Sequence, residues 1–139
     1  MSPSLNLNLK YLLDADWLID AAIDKPAAVR TLDHLSSDGL AVSIITVAEI
    51  YEGAFGAPDP EATLADFREF LGAYAILPLT EPIIERFARL RAYLRQRGQL
   101  IPDMDLLIAA TALNHDLTLV TRNRRHFDRI PNLTLYQPS

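Results

Sequence analysis

The sequence predicts a three-layer α/β/α domain with a central parallel sheet. Short apolar runs typical of buried strands alternate along the chain with amphipathic stretches typical of helices. Strands that alternate with helices need crossover connections, which favours a parallel sheet covered by helices on both faces. Half of the 139 residues are hydrophobic, which is enough for one compact core. We therefore expect one domain over residues 1–139, of which residues 1–9 form a short N-terminal extension.

The N-terminal half contains two predicted strands and three predicted helices. KYLLDA is the first strand, and it leads into a helix from Trp17 to Ile23. PAAVRTLDHLSS is a second helix, because Pro26 suits a first helical turn, where a missing N–H costs little, and Gly39 closes the segment. The strand LAVS and the helix IITVAEIYEGAFG, which ends at Gly56, complete this half.

The C-terminal half continues the same alternation. PEATLADFREFLGAY and TEPIIERFARLRAYLRQRG have apolar residues three and four positions apart, which is the periodicity of an amphipathic helix. The short strand AILPL separates them. After these, DMDLLIAATALNHD predicts a helix, LTLVT a strand and LTLY a final short strand.

Composition excludes several classes of protein. The chain has no cysteine, so it has neither a disulfide framework nor a thiolate metal site. It also lacks the G-x-x-x-x-G-K-[ST] loop of nucleotide-binding proteins. The first ten residues do not have the pattern of a signal peptide, and no apolar run approaches the roughly 18 residues of a membrane span. We expect a cytoplasmic protein without a membrane segment.

Charge is distributed unevenly along the chain. The formal net charge is −5, but residues 1–85 carry 14 acids and 4 bases, whereas residues 86–139 carry 4 acids and 9 bases, all of them arginine. The planar guanidinium group of arginine suits phosphate. The alternative for RFARLRAYLRQR is a solvated, salt-bridged helix face. The C-terminal half therefore permits an anionic partner without requiring one.

Polar residues lie at the carboxyl ends of two predicted strands. Asp14 and Asp16 follow the first strand, and Thr121, Arg122 and Asn123 lie at the end of LTLVT. In open parallel sheets, ligands bind beyond the carboxyl ends of the strands. The structural alternative is that Asp14 or Asp16 caps the helix that follows, since Asp is a favoured N-cap. One acid satisfies that role, so the second needs another explanation.

Two further acids lie where burial should exclude them. Glu49 is in a helix so apolar on all sides that little of it is expected to face water, and Glu52 is the better candidate for a solvated residue. Asp105 opens another apolar helix, where, with Asp103 as N-cap, the helix dipole favours a negative charge by about 0.3–1 kcal/mol. A buried carboxylate must be paired, protonated or bound to a cation.

Asp14, Glu49 and Asp105 come from three distant parts of the chain, and a hard divalent cation explains why they would gather. Mg²⁺ and Mn²⁺ take oxygen ligands, keep several waters and pair with substrate phosphates. The histidines have no spacing that builds a zinc site, and we expect structural or surface roles for all of them, which are His34, His115 and His126.

These segments together resemble the PIN domains of VapC-type toxins. LLDADWLID, SIITVAEIYEGA, IPDMDLLIAATAL and LTLVTRNRRHFDRIPNL follow the order and separations typical of that family, and the resemblance extends from Tyr11 to about Pro138. It implies that the single domain is a PIN domain, with an α/β/α fold and a parallel sheet. It also implies a Mg²⁺- or Mn²⁺-dependent endoribonuclease that serves as the toxin of a VapBC-type toxin–antitoxin pair.

The resemblance assigns residues position by position. The first three acids of the family match Asp14, Glu49 and Asp105, and the fourth polar position falls at Asn123, where many relatives have Asp. Asp16 stands where the family often has Asn. Compared with such relatives, this chain lacks a carboxylate at position 123 and has one at position 16. The resemblance therefore makes Asp16 an additional candidate for the metal site.

Roles and partners follow from the same resemblance. Asp14, Glu49 and Asp105 are expected to position the cation, while Thr121 and Asn123 orient the attacking water by hydrogen bonds. Attack by water leaves a 5′-phosphate and a 3′-hydroxyl. The expected partners are a VapB-type antitoxin, the RNA substrate and a second copy of the chain in a homodimer. Candidates for gripping the RNA backbone are Arg122, Arg124 and Arg125.

Other functions remain open at this point. D-x-D after a first strand also occurs in aspartate-nucleophile phosphatases, but these proteins and receiver domains need a lysine late in the chain. The only lysines here are Lys10 and Lys25. A stronger alternative is a catalytically weak or inactive PIN domain that binds RNA or an antitoxin, because Asn123 stands in place of an acid.

Overall fold

The computed structural model describes residues 8–138. The predicted N-terminal extension therefore lies outside the described residues except for Asn8 and Leu9, and Leu9 packs against the core. Gly39 shows how closely this end of the extension approaches the fold. It has φ 92°, and a Cβ at this position would collide with the carbonyl oxygen of Asn8, so the sequence needs glycine here.

Four strands and seven helices form the described part of the chain. The strands are β1 (Tyr11–Leu13), β2 (Leu40–Ser43), β3 (Ala75–Leu77) and β4 (Thr118–Val120). The helices are α1 (Ala15–Ala22), α2 (Pro26–Leu35), α3 (Ile44–Phe55), α4 (Pro60–Leu71), α5 (Glu81–Gln96), α6 (Asp103–Asn114) and α7 (Arg124–Phe127). A single 3-10 turn, Ser36–Asp38, joins α2 to β2.

The strands form one sheet in the order β3-β2-β1-β4, and every pair of neighbours is parallel. Successive strand residues point to opposite faces of a sheet. Leu12 accordingly belongs to a core cluster with side chains of α5, α6 and α7, whereas Leu13 belongs to a second cluster with side chains of α1 to α4. Helices therefore cover both faces, which confirms the predicted α/β/α fold class.

Several boundaries differ from the sequence prediction, each for a local reason. The first helix begins at Ala15 and not at Trp17, because Asp14 is its N-cap. The predicted strand LTLY forms only an isolated bridge, between Leu119 and Leu135. It lies between a turn at Asn132, where φ is 68°, and a proline that has no N–H to offer a ladder. The short helix α7 was not predicted.

Helices α6 and α3 also differ from the sequence prediction. The N-cap position of α6 is Pro102, so Asp103 is the first helical residue and forms an ion pair with Arg91 instead of capping. Helix α3 is less buried than its composition predicts, because Ile44 and Phe55 are exposed at its two ends. Within residues 8–138, none of the helices is long and apolar enough to cross a membrane.

Candidate active site

Adjacent parallel strands bring the first pair of predicted site residues together. Asp14 follows β1 and Thr121 follows β4, and these strands pair in parallel register. The backbone N–H of Asp14 donates to the carbonyl oxygen of Val120 at 3.0 Å. The carboxyl ends of β1 and β4 therefore lie side by side, where ligands bind in sheets of this kind.

Two protein donors hold the Asp14 carboxylate. Its Oδ1 accepts from the backbone N–H of Ala15 at 2.8 Å, and its Oδ2 accepts from the Thr121 hydroxyl at 2.7 Å. The Thr121 hydroxyl oxygen in turn accepts from the backbone N–H of Asn123 at 3.0 Å. Burial raises the pKa of Asp14, these two hydrogen bonds oppose that rise, and the charges of Asp105 and Asp16 add to it.

Glu49 lies on α3 and has a less complete environment. Its Oε1 atom is buried and has no hydrogen-bond partner among the described residues. Burial, first, and the neighbouring negative charges together raise the pKa of Glu49 from 4.5 to about 7; these charges are those of Asp14, Asp105, Asp16 and Glu52. Asp14 and Asp105 therefore lie near enough to Glu49 for their charges to act on it.

Asp105 lies in the first turn of α6, where the helix dipole favours a negative charge. Its Oδ2 atom is 2.7 Å from Nδ1 of His126, and the same ring nitrogen is 2.8 Å from the side-chain nitrogen of Asn123. The structure therefore places the Asn123 side chain against His126. A structural or surface role was predicted for every histidine, and His126 in addition contacts Asp105, one of the three predicted acids.

Asp16 is exposed in the first turn of α1. Asp14 is the N-cap of this helix and Asp16 is not. Helix capping therefore accounts for Asp14 but not for Asp16. Asp16 nevertheless acts on the cluster through its charge, since it raises the pKa of both Asp14 and Glu49. Its position at the rim is consistent with the predicted supporting role.

The three arginines after β4 have different surroundings. Arg122 donates to Asp20 at 2.7 Å and stacks over the Trp17 ring at 4.2 Å, so it joins the end of β4 to α1. Arg124 donates to the carbonyl oxygen of Tyr136 at 3.4 Å. Arg125 is exposed and has no ion-pair or hydrogen-bond partner among residues 8–138. Of the three, Arg125 is the most available for an external phosphate.

Sequence reasoning missed two buried polar residues near the start of α3. Ser43 ends β2 and caps α3, since its hydroxyl oxygen accepts from the backbone N–H of Ile45 at 3.0 Å. Thr46, one helical turn before Glu49, is buried with its hydroxyl unpartnered within the described chain. Both are polar residues with no exposed surface, at and just beyond the carboxyl end of β2. That position after a strand was the signal that could have identified them.

The oxygen atoms of the three acids suit the divalent cation that the family implies. All three converging acids supply oxygen, and the buried, unpartnered Oε1 of Glu49 is a ligand atom that needs a partner. Within residues 8–138, no three Asp, Glu or His side chains come close enough to enclose an ion by themselves. Mg²⁺ usually takes only one or two carboxylates and keeps several waters, so the residues fit such an ion.

Comparison with known proteins gives the family. The PIN domain family matches residues 11–133. Ribonuclease VapC2 of Haemophilus influenzae is 34% identical over 122 residues, which are 88% of this chain and 92% of that protein. The tRNA(fMet)-specific endonuclease VapC of Shigella flexneri is 30% identical over 125 residues, which are 90% of this chain and 95% of that relative.

A solved structure agrees with these relatives. The crystal structure of VapBC2 from Rickettsia felis bound to a DNA fragment from their promoter has a TM-score of 0.85 to this fold. The identity is 29%, and the match covers 94% of this chain and 100% of that chain. The resemblance on which the sequence prediction relied is thus confirmed by similarity over most of the chain. This chain belongs to the PIN domain family and, within it, to the VapC ribonucleases.

Proposed function

We propose that this protein is a metal-dependent endoribonuclease and the toxin of a VapBC-type toxin–antitoxin pair. The observation that carries the proposal is that Asp14, at the carboxyl end of β1, and Asp105, in the first turn of α6, lie near enough to Glu49 for their charges to raise its pKa. The chain also belongs to the VapC ribonucleases. Neighbouring carboxylates repel one another, and partly buried ones are stable together only with protons or cations to balance their charge.

The residues of the chain have separate tasks in this proposal. When bound, Mg²⁺ or Mn²⁺ supplies charge neutralisation at the phosphodiester and lowers the pKa of water. Asp14, Glu49 and Asp105 would hold that cation, and Thr121 fixes Asp14 through the 2.7 Å hydrogen bond. The single hydroxyl hydrogen of Thr121 is used for Asp14, so its contribution to the reaction is orientation and not proton transfer.

In this proposal, Glu49 couples binding of the cation to loss of its own carboxyl proton. Because its pKa is about 7, the carboxyl group of Glu49 is protonated in only part of the molecules near neutral pH. A carboxylate must be deprotonated to ligate a metal, so Glu49 would lose this proton on holding the cation, and its affinity for the cation would fall as the pH decreases below about 7. Asp16 supports the cluster through its negative charge at the rim.

RNA is the proposed substrate class, and a VapB-type antitoxin is the proposed partner. The Shigella relative is named a tRNA(fMet)-specific endonuclease, which makes tRNA(fMet) the first RNA to test. The Rickettsia structure is of a VapBC2 complex, so we propose that this chain also pairs with an antitoxin. Homodimerisation remains a prediction, to be checked by light scattering of the purified toxin.

Incubation of the purified protein with RNA tests the proposal. We expect cleavage with Mg²⁺ or Mn²⁺, loss of cleavage in EDTA, and products with 5′-phosphate and 3′-hydroxyl ends. Cleavage that persists in EDTA, or cyclic phosphate ends, would contradict a metal-dependent hydrolysis.

RNA binding without cleavage, together with no heat on titration with Mn²⁺, would instead identify a non-catalytic binding module. Growth that is equal with and without the neighbouring antitoxin gene would count against the toxin assignment.

A further inference from the structure

His126 forms a contact that the proposed function does not use. It lies on the four-residue helix α7, and its Nδ1 atom is 2.7 Å from Oδ2 of Asp105 on α6. The two residues are 21 positions apart in sequence. Asp105 is 17% exposed and His126 is 30% exposed, so the pair is partly shielded from water. A hydrogen bond in such surroundings holds its geometry better than one at an open surface.

The partners of Nδ1 determine which ring nitrogen carries the hydrogen. A carboxylate oxygen only accepts, so Nδ1 carries the hydrogen and donates to Oδ2 of Asp105. The side-chain amide of Asn123 lies 2.8 Å from the same Nδ1, so its oxygen must face that atom and shares the single Nδ1 hydrogen with Oδ2 of Asp105. The two ends of an amide exchange by a half-turn, so this arrangement costs no movement of the chain. Nε2 of the neutral ring is left with the lone pair.

We infer that His126 is a positioning residue for Asp105. Its Nδ1–H occupies Oδ2, which fixes the rotation of the carboxylate and leaves Oδ1 as the oxygen for an external ligand. This inference rests on the proposed function, in which Asp105 holds the cation. Thr121 acts on Asp14 in a comparable way, with one side-chain donor on Oδ2. Two of the three converging acids are thus oriented by a side chain that follows β4.

The position of the donor atom gives a sharp test. The Nδ2 of an asparagine lies close to where Nδ1 of a histidine would be, whereas the amide of a glutamine lies nearer to Nε2. His126→Asn therefore keeps the donor to Asp105, and His126→Gln and His126→Ala remove it. His34, which is exposed on α2, provides the control substitution His34→Ala. Thermal unfolding of each variant checks that the fold is retained.

Mn²⁺ affinity, measured by calorimetry without RNA, is the main readout. We expect His126→Ala and His126→Gln to raise the Mn²⁺ dissociation constant by about 10- to 100-fold, as is typical when a partner of a metal ligand is lost. His126→Asn should recover most of that loss, and His34→Ala should leave affinity unchanged. In RNA cleavage at saturating Mn²⁺, kcat should fall while KM for RNA stays constant. Asparagine no better than alanine, or unchanged affinity in His126→Ala, would overturn the inference.

A second measurement separates this inference from the proposed function. Nitrogen-15 NMR of the metal-free protein should show the hydrogen of His126 on Nδ1, and Asp105→Ala should abolish that signal. A hydrogen on Nε2 instead would overturn the positioning role, whatever the activity. A normal Nδ1–H signal in a wild-type protein that gives no heat with Mn²⁺ would support the hydrogen bond and reject the proposed cation site.

Discussion

Asp14 and Glu49 belong to the same acidic cluster, but the chain gives their carboxylates opposite surroundings. Asp14 accepts hydrogen bonds from Ala15 and Thr121, whereas Glu49 keeps one buried oxygen without a partner among the described residues. Burial raises the pKa of both groups, yet only at Asp14 do protein hydrogen bonds oppose the rise. One side of the cluster is therefore preorganised, and the other side needs a partner from outside.

The difference follows from where each acid lies in its element. Asp14 stands at a strand end that is also a helix start, where unpaired backbone N–H groups are available. Glu49 stands in the second turn of α3, where the backbone N–H groups are already used within the helix, and Ser43 has capped its start. The fold thus satisfies acids at strand ends by itself. An acid inside a helix depends on another side chain, a proton or a cation.

Asp14→Asn should have the largest effect on activity and almost none on the fold. Asparagine caps helices as well as aspartate does, so the fold should remain stable. The charge that faces the cation is lost, and we expect kcat/KM for RNA to fall by about 10²- to 10⁴-fold, since a catalytic metal contributes several kcal/mol. Asp24→Asn is the matched control, because Asp24 is exposed and its φ of 60° suits asparagine. Cleavage that survives Asp14→Asn would remove the basis of the site.

Glu49→Gln should make the stability of the metal-free protein less dependent on pH. The folded-state pKa of Glu49 is raised from 4.5 to about 7. Its contribution to stability is therefore fully present below pH 4.5 and is lost as the pH rises through about 7. Solvent screening of this partly exposed side chain limits the loss to about 1 kcal/mol, or about 4 °C in Tm.

Thermal unfolding in EDTA at about pH 5 and about pH 8 measures that dependence. From the lower to the higher pH, the Tm of the wild type should fall by more than the Tm of Glu49→Gln. Glu52→Gln is the control, because Glu52 is exposed on the same helix, three residues further along. An equal loss of Tm in wild type and Glu49→Gln would mean that Glu49 is not the group that titrates. The same variant should bind Mn²⁺ more weakly than wild type.

The preorganised side of the cluster was easier to predict from sequence than the other side. Acids after an apolar run and polar residues after LTLVT locate the ends of β1 and β4, because strand ends are marked in the sequence itself. The parallel topology was also predicted, but the strand order, which makes β1 and β4 neighbours, comes from the structure. The hydrogen bond from Thr121 to Asp14 joins residues 107 positions apart, and only the pairing of β1 with β4 brings them together.

His126 shows why the rest of the site was not predictable. Its role depends on α7, a helix of four residues that is too short for any hydrophobic period to reveal. Glu49 was identified from its apolar surroundings, although α3 is more exposed than those surroundings suggest. The missing donor beside Glu49 is likewise a property of three-dimensional packing. Periodicity gives the face on which a residue lies, but it does not give the partner of each polar atom.

Asp16→Asn should have a moderate effect, because Asp16 acts on the cluster through charge alone. It is exposed at the rim and raises the pKa of Asp14 and Glu49 without a direct contact to either. We expect the Mn²⁺ concentration for half-maximal cleavage to rise by about threefold at low salt and the effect to shrink as salt screens it. A Mn²⁺ titration in two salt concentrations measures this. If the Mn²⁺ requirement of Asp16→Asn is unchanged at low salt, Asp16 does not support the metal site.

The smallest effects are expected for two arginine substitutions, one of which should weaken RNA binding and the other of which should lower stability. Arg125 is exposed without a partner in the described chain, so Arg125→Gln should weaken RNA binding and reduce the salt slope of the dissociation constant by about 1. Arg122 is occupied by Asp20 and Trp17, so Arg122→Gln should lower Tm and leave that slope unchanged. RNA affinities at several salt concentrations, together with melting curves, distinguish the two. If Arg122→Gln changes the slope as much as Arg125→Gln does, RNA must displace Arg122 from Asp20, and the end of β4 contacts the substrate directly.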